Sequence, residues 1–408
     1  MPTKPTSLTA AAPAQPHADG KRRLAEAVEA NRDAILELSH RIHANPEPAF
    51  EEHQASAWIA DVLRKHGYEV EHPAGSLKTA IRAVRRGGRG TGPRIGILAE
   101  YDALPGLGHG CGHNTMAAQG VGSAIALASL ADEIAGEIVF LGTPAEERGS
   151  GKQVMIDDGL FDGLDAALLY HPCDRNHVES QPLASEDVNV TFTGLQAHAA
   201  ADPWKGRNAL DALILLFTSV GLWRQQLETH ARVHGIVTEG GTAANIIPDR
   251  AAAWFMLRSA SQPYYEEMRE RFRGLAEGAA LATGTSVEVV FSGGATAMNP
   301  NRTLEARWLA NAAAYGIADQ GPDPSSGSTD MGNVSWVCPT IHPDMAITPE
   351  GTPGHSTRFR DAAATPRADE TTLLAATLIA QVAWELFQDP KLVEAAWKEF
   401  RDNTSRSG

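Results

Sequence analysis

The chain has 408 residues, which exceeds one ordinary compact core and predicts roughly two domains. Its formal net charge of −15 and the lack of a Lys/Arg-rich run exclude the electrostatic footprint of a protein that binds nucleic acid or an anionic membrane. The 3 cysteines cannot build a disulfide framework in so long a chain, and no run of about 18 apolar residues predicts a membrane span, so we expect a cytoplasmic protein.

The N-terminal segment differs in composition from the rest of the chain. Residues 1–20 are rich in Pro, Ala and Thr and lack the apolar core of a secretory signal, so we interpret them as a disordered leader. Residues 21–42 carry apolar side chains at near-helical spacing and predict one helix. Residues 52–66 predict a second helix, which ends at Gly67.

Strands alternate with helices in the next part of the chain. Residues 94–99, 137–141 and 166–170 are short apolar runs typical of buried strands, and the Ala-rich residues 115–130 predict a helix. This alternation predicts an α/β fold with a mostly parallel sheet flanked by helices.

The pattern changes after residue 186. Strands are predicted over residues 188–192, 232–237, 251–257 and 286–291, and long helices over residues 207–227 and 264–281. From residue 299 the pattern is again helical. We therefore predict an α+β module, residues 187–298, inserted in a discontinuous first domain of residues 21–186 and 299–408.

Chemically reactive side chains follow the three predicted strands of the first domain. Cys111 and His113 lie two positions apart in a Gly-rich loop after the first strand, where a thiolate and an imidazole can face the same cations. Glu146 and Glu147 directly follow the second strand, and His171 follows the third. Carboxyl ends of parallel strands meet at one sheet edge, so these side chains are expected to converge there.

A fifth candidate ligand, His355, lies in a Pro-Gly-His segment. Five ligands suit two metal ions that share ligands better than one structural zinc with four closed ligands. We assign Glu147 as a ligand and Glu146 as the general base, because a metal-bound water with a pKa near ~7 can give its proton to a carboxylate. Taken singly, His171 and the Glu pair also fit a structural histidine and a solvated turn, so the Gly-Cys-Gly-His loop favours the metal site most strongly.

These residues resemble the cocatalytic metallopeptidases and amidohydrolases, a family of aminoacylases, glutamate carboxypeptidases and auxin-conjugate hydrolases. The resemblance is closest to the dipeptidase and aminobenzoyl-glutamate-hydrolase-like branch. The matching segments run in the expected order over nearly all of the chain after the leader: residues 100–105, 108–114, 142–147, 194–199, 240–249, 327–335 and 354–359.

The resemblance implies that two divalent metal ions per subunit, Zn²⁺ or Mn²⁺, are the cofactors and that Glu146 is the proton shuttle. Their implied ligands are Cys111, His113, Glu147, His171 and His355. The inserted module is then a lid and dimerisation domain of a homodimer. Within it, His198 stabilises the tetrahedral oxyanion and Asn245 hydrogen-bonds the substrate.

The chain departs from the family pattern at the end of the first strand. Many members carry His-x-Asp there, whereas this chain carries Glu100 and Asp102. Asp102 is retained as the residue that orients a metal ligand. Cys111 compensates for the missing histidine, as in the amidohydrolase branch.

The expected reaction is hydrolysis of an amide bond in a dipeptide or N-acyl amino acid through a metal-bound hydroxide. Family substrates are small molecules that end in a carboxylate, for which Arg258, at the end of a predicted lid strand, and Arg207 are candidate anchors. The alternatives are hydrolysis of a non-peptide aryl amide or aromatic amine and an inactive, metal-stabilised binding scaffold.

Overall fold

The structure, a computed structural model, describes residues 17–179, 182–321 and 327–406. It divides into two compact units. The first unit comprises residues 17–179, 299–321 and 333–406, and the second comprises residues 182–298 and 327–332. The boundary predicted between residues 186 and 187 falls inside one continuous strand, Ala184–Thr193, of the second unit.

Most of the predicted leader, residues 1–16, lies outside the described residues. Residues 18–20 were also assigned to the leader, but they form the first turn of a helix. That turn is part of the folded unit because Gly20 and the neighbouring Lys21 are buried.

The elements are numbered in chain order. The α-helices are α1 (Ala18–Ala30), α2 (Arg32–Ala44), α3 (His53–Lys65), α4 (His113–Ser129), α5 (Gly151–Asp157), α6 (Ala209–Trp223), α7 (Gln262–Thr283), α8 (Arg302–Ala314), α9 (Met331–Val334), α10 (Thr357–Ala362), α11 (Pro366–Gln388) and α12 (Pro390–Arg406). The strands are β1 (Glu69–Glu71), β2 (Ile81–Arg86), β3 (Arg94–Ala99), β4 (Glu137–Gly142), β5 (Ala166–Leu168), β6 (His171–Cys173), β7 (Ala184–Thr193), β8 (Ala231–Glu239), β9 (Arg250–Ser259), β10 (Ser286–Ala295), β11 (Thr340–Ile341) and β12 (Asp344–Ala346). Of the helices in this described part, none has the length and apolar character needed to cross a membrane.

The helix predicted over residues 21–42 is two helices, α1 and α2, that meet at Asn31. The backbone N–H of Asn31 donates to Val28 O at 3.1 Å, and its side-chain amide donates to Ala27 O at 2.8 Å. These bonds satisfy the last carbonyls of α1 and end it. The apolar spacing continues across the junction because both helices bury one side, and so it did not reveal the break.

A six-stranded sheet forms the centre of the first unit, with the order β1-β2-β4-β3-β5-β11. Strands β4, β3, β5 and β11 pair in parallel, and β1 and β2 extend the sheet antiparallel. Strands β3 and β4 are buried along nearly their whole length, as apolar strands of parallel sheets are. The predicted α/β architecture with a mostly parallel sheet is confirmed.

The strand predicted over residues 166–170 is shorter than expected. Strand β5 ends at Leu168, and His171–Cys173 forms β6, which pairs in parallel with β12 in a separate two-stranded sheet. An apolar run in the sequence carries no information on which partner strand it pairs with, so this change of partner was missed.

The second unit is an antiparallel sheet, β10-β7-β9-β8, packed against α6 and α7. Alternate residues of β7, including Val188, Val190 and Phe192, are buried in the core that the two helices cover. The inward and outward alternation is that of a sheet with one packed face. The predicted α+β module is therefore confirmed.

Close packing of α4 on β3 positions the loop that joins them. Gly120 of α4 lies so near the strand that a Cβ atom on it would be 2.8 Å from Ala99 Cβ and 2.9 Å from Leu98 O. A larger residue would push α4 away from the strand, and with it His113, the first residue of the helix.

We expect Gly120→Ala to lower the free energy of unfolding by about 1–3 kcal/mol, because the added methyl group meets backbone that cannot move aside. Gly278→Ala, in the exposed part of α7 where a Cβ has no neighbour within 4 Å, is the matched control and should raise stability by up to about 1 kcal/mol. Denaturant unfolding of both variants checks the signs. Equal or greater stability of Gly120→Ala would show that this contact is not tight.

Candidate metal centre

The candidate ligands converge at the carboxyl ends of three adjacent parallel strands. Strand β3 lies between β4 and β5, and each of the three is followed by a loop or short segment that carries donor groups. Cys111 and His113 follow β3, Glu147 follows β4 and His171 follows β5. The convergence expected from the strand order is therefore present within the first unit.

The tautomer of His113 is determined by its contacts with Asp102. Nδ1 of His113 lies 3.0 Å from the backbone carbonyl of Asp102 and 3.0 Å from its carboxylate Oδ1. A carbonyl oxygen can only accept, so Nδ1 carries the proton and donates. In the neutral ring Nε2 therefore presents a lone pair, which is the form that binds metal.

Three carboxylates lie around that lone pair. Nε2 of His113 is 3.2 Å from Glu100 Oε2 and 4.0 Å from both Glu146 Oε2 and Glu147 Oε1. Within the described residues, no hydrogen bond is formed by His113 Nε2, Glu100 Oε2 or Glu147 Oε1, although all three atoms are buried. Buried acceptors that face one another without a donor are unfavourable unless a cation lies between them.

The pKa of His113 responds to the same surroundings. Burial alone lowers this pKa, but the charge of Asp102 and then that of Cys111 raise it well above its usual value. The imidazole therefore has a high affinity for a cation, whether a proton or a metal ion. The pKa of Asp102 shifts the opposite way: burial raises it, but the charge and hydrogen bond of His113 bring it below its usual value.

Cys111 and His171 form the neighbouring pair of donors. Cys111 Sγ lies 3.5 Å from His171 Nε2, and both atoms lie within 4.8 Å of a His113 donor atom. Burial lowers the pKa of His171 to about 4, so its ring stays neutral and able to bind metal. Desolvation, followed by the charge of Glu147, raises the pKa of the Cys111 thiol, which a bound metal ion would deprotonate.

Glu147 and His355 complete the group. Glu147 Oε2 lies 3.4 Å from His355 Nε2, and these two residues and Cys111 have donor atoms within 4.8 Å of one another. The backbone N–H of Glu147 donates to Asp102 Oδ2 at 2.9 Å, so Asp102 links this loop to His113. The N–H of His355 donates to Gly110 O at 3.0 Å and anchors it beside the Cys111 loop.

Left-handed backbone at Gly112 allows the spacing of Cys111 and His113. Gly112 has φ 80° and is the N-cap of α4, and a Cβ on it would lie 2.7 Å from Pro172 Cγ. Only glycine adopts this conformation readily at such a close approach. The Gly-Cys-Gly-His pattern therefore has a structural reason as well as a chemical one.

Three supporting residues were missed by the sequence analysis. Glu52 accepts from the N–H of Ala145, which has φ 61°, and so holds the loop that carries Glu146 and Glu147. Lys152 Nζ donates to Glu100 Oε1 at 2.5 Å. Asp344 Oδ1 lies 3.6 Å from His171 Nδ1, an arrangement parallel to that of Asp102 and His113. Their positions far from the donor motifs left no sequence signal.

The donor set fits divalent transition-metal ions. It combines a thiol, three imidazoles and carboxylates, which suit Zn²⁺ and Mn²⁺. The four carboxylates around or beside His113 leave an excess of negative charge, even with Lys152 ion-paired to Glu100. Two divalent cations would offset this excess, so the residues present fit a two-metal site.

A second group of potential donors lies close by in the same unit. Cys173, His177 and Asp344 have donor atoms within 4.8 Å of one another. Asp344 Oδ2 lies 3.4 Å from His177 Nδ1 while its other oxygen faces His171. Asp344 thus joins the two groups and orients His171.

His198 and Asn245 lie together in the second unit. The N–H of Ala199 donates to Asn245 O at 3.0 Å, and His198 forms a β-bridge with Ile246. His198 is exposed, and its Nδ1 accepts from the backbone N–H groups of Ala200 and Ala201 at 3.2 and 3.1 Å. Nε2 therefore carries the proton in the neutral ring and can donate to a ligand.

Arg258 lies on β9 of the same unit within a group of positive charges. It is paired across the strands with Arg232, and its guanidinium contacts Met256 Sδ at 3.0 Å. Burial, followed by the charges of Arg258, Arg224 and Arg232, lowers the pKa of His234. Within the described residues none of these arginines forms an ion pair with a carboxylate, which leaves the group able to bind an anion. Arg207, the other anchor candidate, pairs through its backbone with Leu195.

Comparison with known proteins gives a family match over most of the chain. The family model described as Peptidase family M20/M25/M40 matches residues 96–377. The Xaa-Arg dipeptidase of Mus musculus is 37% identical over 403 residues, which cover 93% of this chain and 92% of that protein. The Xaa-Arg dipeptidase of Homo sapiens is 34% identical with the same coverage, 93% and 92%. One of the subunits of the p-aminobenzoyl-glutamate hydrolase of Escherichia coli K12 is 29% identical and covers 94% and 95%.

Solved structures share the fold. A putative aminohydrolase from methicillin-resistant Staphylococcus aureus superimposes with a TM-score of 0.79 at 19% identity, over 90% of this chain and 100% of that chain. A dinuclear metal-binding peptidase of the M20 family from Bacillus subtilis gives a TM-score of 0.69 at 22% identity, over 88% and 99%.

We expect Asp102→Asn to weaken the binding of divalent cations at His113 by about 10- to 100-fold, because it disturbs the bond that holds the ring and its tautomer. Titration of metal-free protein with Zn²⁺ or Mn²⁺ measures the change. The control is Asp158→Asn, an exposed aspartate of the same unit that accepts hydrogen bonds from Ser76. If both variants bind metal as the wild type does, Asp102 does not orient a metal ligand.

Proposed function

The chain belongs to peptidase family M20/M25/M40 and is a hydrolase of amide or peptide bonds, and we propose that it is a dipeptidase that uses two divalent metal ions. The observation that carries the proposal is the lone pair of His113 Nε2, which faces three carboxylates beside a second set of donors at Cys111, Glu147 and His355. A structural site would not need the additional acid, Glu146, at its edge.

The ligands in this proposal are the five predicted from the sequence. They are Cys111, His113, Glu147, His171 and His355. The mixture of thiolate, imidazole and carboxylate suits Zn²⁺ or Mn²⁺. That a structural neighbour is a dinuclear metal-binding peptidase supports two ions. When bound, such ions polarise a carbonyl group and lower the pKa of water.

Glu146 acts as general base and then as general acid. Its carboxylate is near the donors, 4.0 Å from His113 Nε2, and its side chain keeps 12% of its surface exposed. It can therefore reach both the site and solvent. It takes the proton of the attacking water and returns it to the leaving amine.

His198 and Asn245 serve the substrate in this proposal. Because Nδ1 of His198 is occupied as an acceptor, its Nε2–H can donate to the oxygen that becomes negatively charged during attack. Asn245, joined to the same loop through Ala199, is assigned to hydrogen-bond the substrate near its carbonyl or carboxylate.

The proposed substrate is a small dipeptide with a free carboxylate and a cationic C-terminal residue. Two relatives that share nearly the whole chain are named Xaa-Arg dipeptidases, which supports this choice. Arg258 is the proposed anchor for the carboxylate, since it lacks a carboxylate partner among the described residues. N-acyl amino acids and aryl amides of glutamate are the comparison substrates.

A homodimer formed through the second unit is also proposed. Ile214 and Leu222 of α6 are 56% and 62% exposed, on the side of the helix away from the core, and Ile236 of β8 is 56% exposed. Strand β8 is an edge strand, so its outer backbone groups are open to pairing. Exposed apolar residues of this kind mark protein interfaces.

The dipeptidase proposal is tested by product release from Xaa-Arg and Xaa-Lys dipeptides, N-acyl amino acids and aryl-amide glutamates, followed by mass spectrometry. Metal-free protein should be inactive, and protein reloaded with Zn²⁺ or Mn²⁺ should cleave the cationic dipeptides with the highest kcat/KM. Turnover that survives complete chelation contradicts metal dependence. Reloaded protein that cleaves only aryl amides contradicts the substrate assignment.

Glu146→Gln should lower kcat by about 10²- to 10⁴-fold with little change in metal content, because it removes a proton carrier and not a ligand. Rapid-quench turnover and metal analysis on the same sample check both statements. Glu69→Gln, an exposed glutamate on β1, is the control and should keep full activity. An active Glu146→Gln enzyme would refute the assignment of the base.

Arg258→Gln should raise KM for dipeptides at least about tenfold and leave their C-terminal amides, which lack the carboxylate, unaffected. Steady-state kinetics on matched acid and amide substrates measure the difference. Arg250→Gln, an exposed arginine on the same strand that pairs with Glu239, is the control. An equal effect of Arg258→Gln on acid and amide would assign this arginine a structural role.

Ile214→Asp combined with Leu222→Asp should convert the dimer to a monomer, because two buried charges cannot be satisfied at an apolar interface. Light scattering coupled to size exclusion measures the mass. Leu281→Asp, at the most exposed leucine of α7, is the control and should leave the mass unchanged. A monomeric wild type would contradict the dimer.

A further inference from the structure

Glu100 is buried beside the candidate ligands, but the five-ligand assignment does not include it. Its side chain is 1% exposed at the carboxyl end of β3. One oxygen, Oε1, accepts from Lys152 Nζ at 2.5 Å. The other, Oε2, lies 3.2 Å from His113 Nε2 and, within the described part of the chain, has no hydrogen-bond partner.

The backbone directs Glu100 toward the donors. Successive residues of an extended segment point to opposite sides, so Glu100 and Asp102 share one side and Tyr101 the other. Tyr101 is buried with its hydroxyl donating to Thr79 O at 2.6 Å, while Glu100 and Asp102 both approach the ring of His113. The two carboxylates therefore contact different nitrogens of the same imidazole.

The contact at Nε2 is unfavourable in the absence of a cation. Asp102 holds the proton on Nδ1, so Nε2 and Glu100 Oε2 both present lone pairs. A buried carboxylate oxygen without a donor carries a desolvation penalty that its neighbours must offset. Lys152 does not remove it, because the ammonium group bonds to the other oxygen. A metal ion between the two atoms would satisfy both.

We propose that Glu100 Oε2 is a sixth protein ligand of the two-metal site and binds the ion held by Nε2 of His113. This inference rests on the proposed function. Lys152 is then a positioning residue, which holds Oε1 and leaves one oxygen of Glu100 directed at the ion. Glu146 also has an oxygen within reach of this ion, since Glu100, His113 and Glu146 have donor atoms within 4.8 Å of one another.

The extra carboxylate affects which metal the site prefers. Additional oxygen ligands and a higher coordination number suit Mn²⁺, whereas a tetrahedral set with a thiolate suits Zn²⁺. The ion at His113 Nε2 and Glu100 is therefore the Mn²⁺-preferring one of the pair.

The test measures the affinity of metal-free wild type and Glu100→Gln for Mn²⁺ and Zn²⁺, each in competition with a chelator. The wild type should bind two ions. Glu100→Gln should weaken Mn²⁺ binding at one of the two positions by about tenfold or more, and Zn²⁺ binding less, because the lost ligand is an oxygen anion. Wild-type Mn²⁺ affinity in Glu100→Gln overturns the inference.

A matched control separates the loss of a ligand from the loss of a buried ion pair. Glu385 is 2% exposed and pairs with the buried Lys21, but Arg307 binds its carboxylate as well. Glu385→Gln should disturb folding stability and leave metal affinity unchanged. If Glu385→Gln weakens Mn²⁺ binding as much as Glu100→Gln does, the effect is a loss of stability and the inference fails.

Two further variants keep the result decisive. The double variant Glu100→Gln, Lys152→Met removes both charges of the pair, and recovery of wild-type Mn²⁺ affinity would show that Glu100 only neutralises Lys152, which overturns the inference. Glu100→Asp keeps the charge but withdraws the oxygen, so it should also lose Mn²⁺ affinity if Glu100→Gln does not fold. A wild type that binds no metal contradicts the proposed function itself, and is distinguished from failure at Glu100 alone.

Discussion

The hydrogen bond from His113 Nδ1 to Asp102 is the interaction on which the rest of the site depends. It determines which nitrogen carries the proton and therefore where the ring presents a lone pair. The same aspartate accepts from the backbone of Glu147, so the loops after β3 and β4 are held in one arrangement. A single carboxylate thus sets both the chemistry of one ligand and the position of another.

The first unit concentrates negative charge at one edge of a buried sheet. The carboxylates near His113 and the thiol of Cys111 repel one another when no cation is present, and the raised pKa of His113 reflects this field. The fold tolerates that repulsion because surrounding donors restrain each group separately: Lys152 holds Glu100, and Glu52 holds the backbone before Glu146. Such strain in the absence of a ligand is characteristic of functional sites.

The second unit differs from the first in charge and in hydrogen-bonding character. Its arginines on β8 and β9 near His234 lack carboxylate partners among the described residues in a chain whose net charge is −15. His198 is held so that it donates through Nε2, whereas His113 is held so that it accepts a cation at Nε2. Local backbone and carboxylate contacts thus give two histidines opposite roles.

The sequence predicted the parts of the site that lie next to strand ends. Cys111, His113, Glu147 and His171 were found because apolar runs end immediately before them, or shortly before them in a Gly-rich loop. The resemblance to a known family added His198, Asn245 and the role of Asp102, which local patterns alone do not reveal. The family membership and the α/β architecture followed from the same segments. Long-range contacts were beyond sequence reasoning, because Lys152, Glu52 and Asp344 approach the site only through tertiary folding, from 52, 93 and 173 positions along the chain from their partners Glu100, Ala145 and His171. Strands of three residues such as β6 and β12 are too short to show periodicity.

The most direct test of the account is anomalous X-ray diffraction from crystals of Mn²⁺-reconstituted protein. The account predicts two anomalous peaks among Cys111, His113, Glu147, His171 and His355, one of them next to His113 Nε2. The absence of a peak beside His113, or a peak only at Cys173, His177 and Asp344, would contradict it.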